Sequence, residues 1–480
     1  MVKSFRTLLG DLLLPGQTAA DMPVPEEFFC DSRKVTPGSL FVAVNGASCD
    51  GHCYIAEALR RGAGVVIGEK DGFPLTLKVR DSVAAFAAMV KNKYDNADEK
   101  IKLFGVTGTN GKTSTVFILR HLLSEMGKLC GLVSTVETFD GKKNCPASAT
   151  TPDIETLYQL FDGMVKNSAG FAAMEFSSHS LAQRRSGTVK AAGAIFTNLT
   201  RDHLDYHRTF DDYFAAKRRL FCEHLAPDGV AVINIDDPCG RELYDSLICR
   251  KAGFSVSGGG DWRISEIATG FSGSSFVLSK SGEAVRFDIP LSGIHNIRNY
   301  AGAVILLAES GFDLTALAKA AAQPLFIPGR LEKYDLRSGQ VAFVDYAHTP
   351  DALENVLGLL SEMKKDGRIF TVFGAGGNRD REKRPEMGKV AVKFSDHVIV
   401  TSDNPRNEDP QEIISQILAG MGGFTEVTVE VDRGRAIAQA VALSGVGDII
   451  LIAGKGHETT QETAGVKYPF SDVAEIKKYI

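Results

Sequence analysis

Along most of the chain, short apolar runs alternate with stretches in which apolar positions recur every three or four residues, the pattern of buried strands alternating with amphipathic helices. Ile101-Lys-Leu-Phe104, continued by Val106, reads as a strand; Val116, Leu119, Leu123 and Met126 mark one face of a helix that Gly127 stops. Further apolar runs end at 171–176, 192–197 and 229–234, so the stretch from 98 to about 328 predicts a largely parallel sheet. Before it, residues 39–44 and 64–67 read as strands with a helix over 55–60 between them, and a charged, helix-like segment at 92–100 marks a boundary. Residues 257–275, rich in glycine and serine, read as loops and a hairpin. After Ile327-Pro-Gly-Arg330 come four more strand-like runs, at 341–344, 368–373, 397–400 and 448–453. The expected fold class is α/β in three domains: a small α/β domain over 1–97, a central one over 98–328 and a third over 329–480.

The loop between the first central strand and its helix carries chemistry. In Gly105-Val-Thr-Gly-Thr-Asn-Gly-Lys-Thr-Ser114, glycines let backbone N–H groups converge on phosphate oxygens, and the helix N-terminus adds partial positive charge. Gly108, Thr109, Asn110, Gly111, Lys112, Thr113 and Ser114 form the cradle; Lys112 neutralises β/γ-phosphates and the Thr113 hydroxyl suits the accompanying Mg²⁺. Val106 stands where a strict phosphate-loop pattern has glycine, yet strand, glycines, Gly-Lys-Thr and helix come in the required order, which makes ATP the expected ligand and the middle domain P-loop ATPase-like.

Polar knots follow the other strands. Ser177-Ser-His-Ser180 and Asn198-Leu-Thr-Arg-Asp-His-Leu-Asp-Tyr-His207 stand after two central runs; Asp345-Tyr-Ala-His-Thr-Pro350, Gly374-Ala-Gly-Gly-Asn-Arg-Asp380, Asp403-Asn-Pro-Arg406 and Gly454-Lys-Gly-His-Glu458 follow the four C-terminal ones. In open α/β sheets, ligands sit beyond the carboxyl ends of strands. Glu175 and His203 leave strand ends as candidate Mg²⁺ partners, with Asp202 and Asp205 as competing oxygen donors. Gly374-Ala-Gly-Gly lacks the third glycine of a dinucleotide fingerprint. Lys217, in the helix-like stretch 212–221, reads on composition alone as a surface lysine.

Bulk properties narrow the function classes. A net charge of −5 with no basic face argues against nucleic-acid binding, and no apolar run reaches the ~18–20 residues that span a bilayer. The first residues, broken by Asp11 and Pro15, make a poor signal peptide, so a cytoplasmic location is expected. Eight scattered cysteines contain no Cys-x-x-Cys and read as reduced thiols.

Gly-Thr-Asn-Gly-Lys-Thr, Met-Glu-Phe-Ser-Ser-His-Ser, Thr-Asn-Leu-Thr-Arg-Asp-His-Leu-Asp-Tyr-His, Tyr-Phe-Ala-Ala-Lys, Gly-Ile-His-Asn-Ile-Arg-Asn, Asp-Tyr-Ala-His-Thr-Pro and Ala-Gly-Lys-Gly-His-Glu occur in this order. Together, from Asp31 to the last strand, they resemble the Mur ligases, and most closely the type that adds meso-2,6-diaminopimelate. The resemblance implies a UDP-binding first domain, a central ATPase and a Rossmann-like third domain that carries the incoming amino acid. It implies that ATP phosphorylates the D-glutamyl γ-carboxylate of UDP-N-acetylmuramoyl-L-alanyl-D-glutamate, that the amine of diaminopimelate attacks the acyl phosphate, and that a monomer does this for peptidoglycan. By the same matching, Lys217 is the carbamylated lysine, a Mg²⁺ ligand with Thr113, Glu175 and His203, since a carbamate offers an anionic oxygen where an ammonium would repel the ion. His295, Asn299, Arg330 and Asp345 match nucleotide contacts. Ser32, Thr150, Thr151, Ser177, Gln183 and Arg185 match contacts to the UDP-linked peptide; Ala47-Ser-Cys49 and Ala149 depart from the family pattern. Asp403, Asn404, Pro405, Arg406 and Arg379 match the amino-acid site, where a guanidinium fork grips the distal carboxylate that lysine lacks, and Gly454 and Glu458 hold the amino-acid head. A lysine-adding ligase and a folylpolyglutamate synthase are the alternatives; the first is opposed by Asp403-Asn-Pro-Arg406, the second by the 97 residues ahead of the ATP strand.

Overall fold

A computed structural model describes residues 3–46, 49–364 and 366–480. They divide into two compact units, one of residues 1–105, 127–194 and 216–229, the other of 106–126, 195–215 and 230–480.

The first unit opens with a parallel four-stranded sheet in the order Phe28–Phe29, Leu40–Val42, Val65–Gly68, Leu77–Lys78. The helix Ile55–Arg60 covers it, burying Ile55 and Ala58 against Phe41 and Val66. A second set of strands runs in the order Ala191–Phe196, Lys102–Thr107, Phe171–Glu175, Cys130–Val133, Glu137–Phe139, Asn144–Pro146. The charged segment at 92–100 is not one helix. The helix Ser82–Lys93 ends there, Asp95 and Asn96 turn left-handed at φ 50° and 51°, and a 3₁₀ turn spans Ala97–Lys100. Asp and Asn tolerate that conformation better than most residues, and the break places buried Asp98 3.1 Å from Lys91.

In the second unit the helix Lys112–Glu125 follows the phosphate loop, and Ile294–Glu309 and Leu314–Ala321 pack on it. Strands Trp262–Gly270, Gly273–Lys280 and Glu283–Ile289 form an antiparallel meander, so most of the glycine-serine stretch is ladder and turn. The C-terminal sheet runs Glu332–Asp335, Val341–Asp345, Ile449–Ala453, Ile369–Phe373, His397–Val400, Val427–Val429, parallel except for the first strand. Period-two alternation divides its side chains between two cores. Ile449, Leu451 and Ala453 join Leu353, Met387 and Ile413 from the helices on one face; Ile450 and Ile452 join Ala436, Ile437 and Ile476 on the other. Four parallel strands therefore bring Asp345, Gly374, Asp403 and Gly454 to one edge of the sheet.

Candidate functional site

In the first unit, Glu175 closes a strand and is fully buried. Its Oε1 accepts from the Thr135 N–H at 2.7 Å and its Oε2 from the Thr135 hydroxyl at 3.1 Å. That hydroxyl lies 3.0 Å from Thr150 Oγ1, and the neighbouring Thr151 hydroxyl donates to the Glu175 carbonyl at 2.8 Å. Thr151 Oγ1 also accepts from the Ser177 N–H at 3.0 Å. Arg185 donates to the Thr151 carbonyl at 3.1 Å and to Gln183 Oε1 at 2.8 Å. Six residues expected on two separate grounds, Thr150, Thr151, Glu175, Ser177, Gln183 and Arg185, thus form one polar patch. Ser32 is buried at the start of a 3₁₀ turn capped by Asp31; Ala47 and Ser48 lie outside the described residues.

Lys217, read from composition as a surface residue, is 1% exposed on the helix Phe210–Arg219. It shares that burial with Tyr213, one turn earlier on the helix. That burial makes this position unlike an ordinary surface lysine.

In the second unit the phosphate loop is built around two glycines that admit no side chain. Gly108 has φ 151° and Gly111 φ 84°; a Cβ on Gly111 would lie 2.4 Å from Asn299 Oδ1, and one on Gly108 1.8 Å from Thr197 Oγ1. The loop is pinned by Thr109 N–H to the Asn198 carbonyl (2.9 Å), Asn110 N–H to Asn198 Oδ1 (2.9 Å) and Asn110 Nδ2 to Asp351 (2.7 Å). Lys112 Nζ curls back to the carbonyls of Gly108 and Thr109, at 3.0 and 2.8 Å, and Ser114 is buried one residue beyond Thr113. Arg330 donates to the Thr113 hydroxyl at 3.0 Å and lies over the Tyr346 ring. Asp345, buried beside Arg330, accepts from the N–H groups of Leu331 and Ala347, both at 2.7 Å; burial nonetheless raises its carboxyl above the usual range. Burial, helped by Arg298, pushes the His295 imidazole down to about 4, so it is neutral at physiological pH. A cavity of about 530 Å³ opens beside Arg330, lined also by Ser292, Asn296, Phe326 and Tyr334, a size suited to a nucleoside.

His203, left-handed at φ 57°, sits 3.4 Å from Asp202, and Asp205 lies on the short helix that follows. Burial works to raise the Asp202 carboxyl, but Lys383 at 3.4 Å, His203 and His348 together carry it well below the carboxylate range. The cluster ties the 195–215 segment to the C-terminal strands, as does Arg201 to Asp380 at 3.1 Å.

The loop Asp403–Arg406 is held from both sides. Gly377 N–H donates to the Asn404 carbonyl at 2.9 Å, and a Cβ on Gly377 would lie 1.9 Å from the Pro405 carbonyl oxygen. On the other side, Arg406 N–H donates to the Glu462 carbonyl at 3.0 Å and Gln461 Nε2 to the Asp403 carbonyl at 2.7 Å. Arg406, at φ 52°, donates to the Gly377 carbonyl at 2.7 Å. Burial and the like charge of Arg379 depress the basicity of its guanidinium. Two guanidiniums kept together, with Glu462 3.8 Å from Arg406 and Asp403 and Glu458 also nearby, can receive an anionic group. Facing them, Asp403 Oδ2 is buried with no hydrogen-bond partner, close to Gly454, whose φ of 118° leaves no room for a side chain there.

Three family models match in chain order: the Mur ligase family catalytic domain over residues 28–101, the Mur ligase middle domain over 106–307 and the Mur ligase glutamate ligase domain over 329–456. The UDP-N-acetylmuramoyl-L-alanyl-D-glutamate–2,6-diaminopimelate ligase of Cytophaga hutchinsonii is 42% identical over 94% of this chain and 93% of its own length. The chain belongs to the Mur ligase family. The ligase of the same name from Parabacteroides distasonis is 39% identical, with 98% of each chain covered. A solved structure bearing that name superposes with TM-score 0.70 at 32% identity, covering 100% of this chain and 99% of its own. The folylpolyglutamate synthase of Mycobacterium tuberculosis, at 18% identity, TM-score 0.65 and 77% of this chain, shares the fold alone.

Sequence reasoning passed over several residues that frame this Mur ligase site. Lys383, Asp351 and Arg433 have partners 181, 241 and 39 residues away, at Asp202, Asn110 and Asp472, and no local pattern marks such pairs. Lys455 lay inside a quoted motif, yet only its burial distinguishes it.

Proposed function

We propose that this chain joins meso-2,6-diaminopimelate to the D-glutamate γ-carboxylate of UDP-N-acetylmuramoyl-L-alanyl-D-glutamate at the expense of ATP, in peptidoglycan precursor synthesis. The observation that carries this is the near-full-length identity of about 40% to relatives named for that ligase. The reading assigns residues 1–97 to the UDP moiety, 98–328 to ATP and 329–480 to the amino acid.

On this reading the cradle from Gly108 to Ser114 binds the triphosphate, Lys112 neutralising the oxygens between which the phosphoryl group moves. Asn299, Arg330, Asp345 and neutral His295 hold the rest of the nucleotide. The patch of Thr150, Thr151, Ser177, Gln183 and Arg185, with Ser32, receives the UDP-linked dipeptide and presents its carboxylate. Arg406 and Arg379 take a carboxylate of the amino acid; Asp403, Asn404, Pro405, Gly454 and Glu458 shape the part that holds its amine. With no side chain acting as a nucleophile, rate comes from positioning and charge neutralisation.

Thr113, Glu175, His203 and Lys217 as a carbamate would hold Mg²⁺, which supplies further neutralisation of phosphate charge. Three of the four donors are oxygens, as a hard cation prefers, and a carbamate on Lys217 would suit a neighbouring metal better than an ammonium. The protein lacks, among its described residues, any helix long and apolar enough to cross a membrane.

The test is phosphate release from ATP with the UDP-linked dipeptide and each amino acid in turn. Diaminopimelate should support turnover, with lysine ~10³-fold poorer in kcat/KM because it leaves a partly buried arginine unpaired. Equal use of lysine would overturn the assignment of substrate, and release without any dipeptide would overturn the ligase reading.

A further inference from the structure

The amino-acid pocket contains a buried cation that the reaction scheme above leaves unused. Lys455 follows the last strand of the C-terminal sheet, between Gly454 and Gly456, both at positive φ, and its side chain is fully buried. Its ammonium reaches Glu458 Oε2 at 2.6 Å and Asn404 Oδ1 at 3.1 Å. Asn404 closes the triangle by donating from Nδ2 to Glu458 Oε2 at 2.9 Å, while its Oδ1 also accepts from the Glu462 N–H at 2.9 Å. The amide is therefore locked in one orientation, and Glu458 Oε2 is saturated by two donors from behind. Asp403 Oδ2, buried beside Gly454, has no hydrogen-bond partner among the described residues. Burial alone works to raise the Asp403 carboxyl, and the nearby charges of Lys455 and Arg433 hold it down.

We propose that Lys455 is a positioning residue for the incoming amino acid: its hydrogen bonds to Glu458 and Asn404 fix the Glu458 carboxylate in the pocket with Asp403, and its charge offsets the repulsion between the two acids that receive the substrate ammonium. Two carboxylates in one pocket repel, and without the ammonium that holds it Glu458 would turn away from Asp403. The substrate ammonium would then meet one carboxylate in place of two. The guanidiniums of Arg406 and Arg379, on the far side of the same loop, then face a substrate whose amine end is no longer fixed. Lys455 does not touch the reacting atoms in this scheme; it acts through Asn404 and Glu458. The inference rests on the amino-acid-site reading given above.

The test compares wild type, Lys455→Met and the double variant Lys455→Met with Glu458→Gln, each titrated separately with diaminopimelate, ATP and the UDP-linked dipeptide. Lys455→Met should raise the KM for diaminopimelate at least tenfold, leaving the KM values for ATP and the dipeptide within about twofold. The double variant removes the buried ammonium and its part-exposed partner together, so its melting temperature should return toward wild type while its KM for diaminopimelate stays raised. That split is one a merely structural lysine would not give. A folded Lys455→Met enzyme, or a folded double variant should the single one not fold, with an unchanged KM for diaminopimelate would overturn the proposal. So would equal rises for all three substrates. Failure of the wild type to use any diamino acid would instead overturn the site reading, independently of Lys455.

Discussion

Replacing Asp472 with Asn probes the support beneath the amino-acid pocket. Asp472 and Arg433 are both fully buried, with Nε to Oδ1 at 2.7 Å and Nη2 to Oδ2 at 2.8 Å. Arg433 also donates to the carbonyl of Ala453 at 2.9 Å and that of Ser402 at 3.4 Å, the residues preceding Gly454 and Asp403. Removing one partner of a buried pair costs about 3–5 kcal/mol, because the other charge stays behind uncompensated. Asn keeps one acceptor, which places Asp472→Asn near the lower end, about 3 kcal/mol. For the unit of about 290 residues that holds both, each kcal/mol moves the midpoint by roughly 1.6 °C, so calorimetry should find its transition lowered by about 5 °C. Arg433→Met with Asp472→Met should recover most of that loss, since apolar isosteres avoid the desolvation cost. It should not restore the KM for diaminopimelate, because the Ala453 and Ser402 carbonyls remain without their donor. A midpoint for Asp472→Asn within 2 °C of wild type would refute the reasoning.

Arg406→Ala should raise the KM for diaminopimelate by roughly 10- to 150-fold, the value of about 1.5–3 kcal/mol for a charge-assisted hydrogen bond, with the KM for ATP unchanged in the same assay. Gly111→Ala forces a Cβ to 2.4 Å from Asn299 Oδ1 at a φ of 84°, so its ATP affinity by calorimetric titration should fall at least tenfold while the melting temperature drops only modestly. Glu408 is paired with Arg384 at 2.9 Å and Arg381 at 3.1 Å, and the Arg384 guanidinium holds its carboxyl down to about 2 from an ordinary 4.5. A depressed carboxylate stabilises the fold above its unfolded value and loses that contribution as pH falls. Stability measured by urea titration should therefore decline by roughly 1–3 kcal/mol between pH 4.5 and 2, and Glu408→Gln should flatten that window.

How much of this the sequence carried depends on the range of the interaction. The phosphate loop was legible because its glycines, lysine and helix are contiguous, and backbone geometry there is a local matter. The C-terminal strands were legible because each buried strand is an unbroken apolar run ended by polar residues. The segment at 92–100 was misread: helix-forming charges continue past Lys93, but a left-handed Asp95-Asn96 break, fixed by the Lys91–Asp98 pair, ends the helix. Lys217 could not be placed by periodicity, and only its burial sets it apart from an ordinary surface lysine. Likewise Lys383 with Asp202, and Arg433 with Asp472, join residues 181 and 39 positions apart, and nothing near either member hints at the other. Lys455 and Glu458 are only three apart, yet both are tied to Asn404, 51 residues before Lys455.

Oxygen transfer is the most direct test of carboxylate activation by ATP. The UDP-linked dipeptide is prepared with ¹⁸O in the D-glutamyl γ-carboxylate and turned over with ATP and diaminopimelate, and the released phosphate is weighed by mass spectrometry. One labelled oxygen in each phosphate is the predicted result; phosphate free of label would contradict the account, because the carboxylate oxygen would never have been phosphorylated.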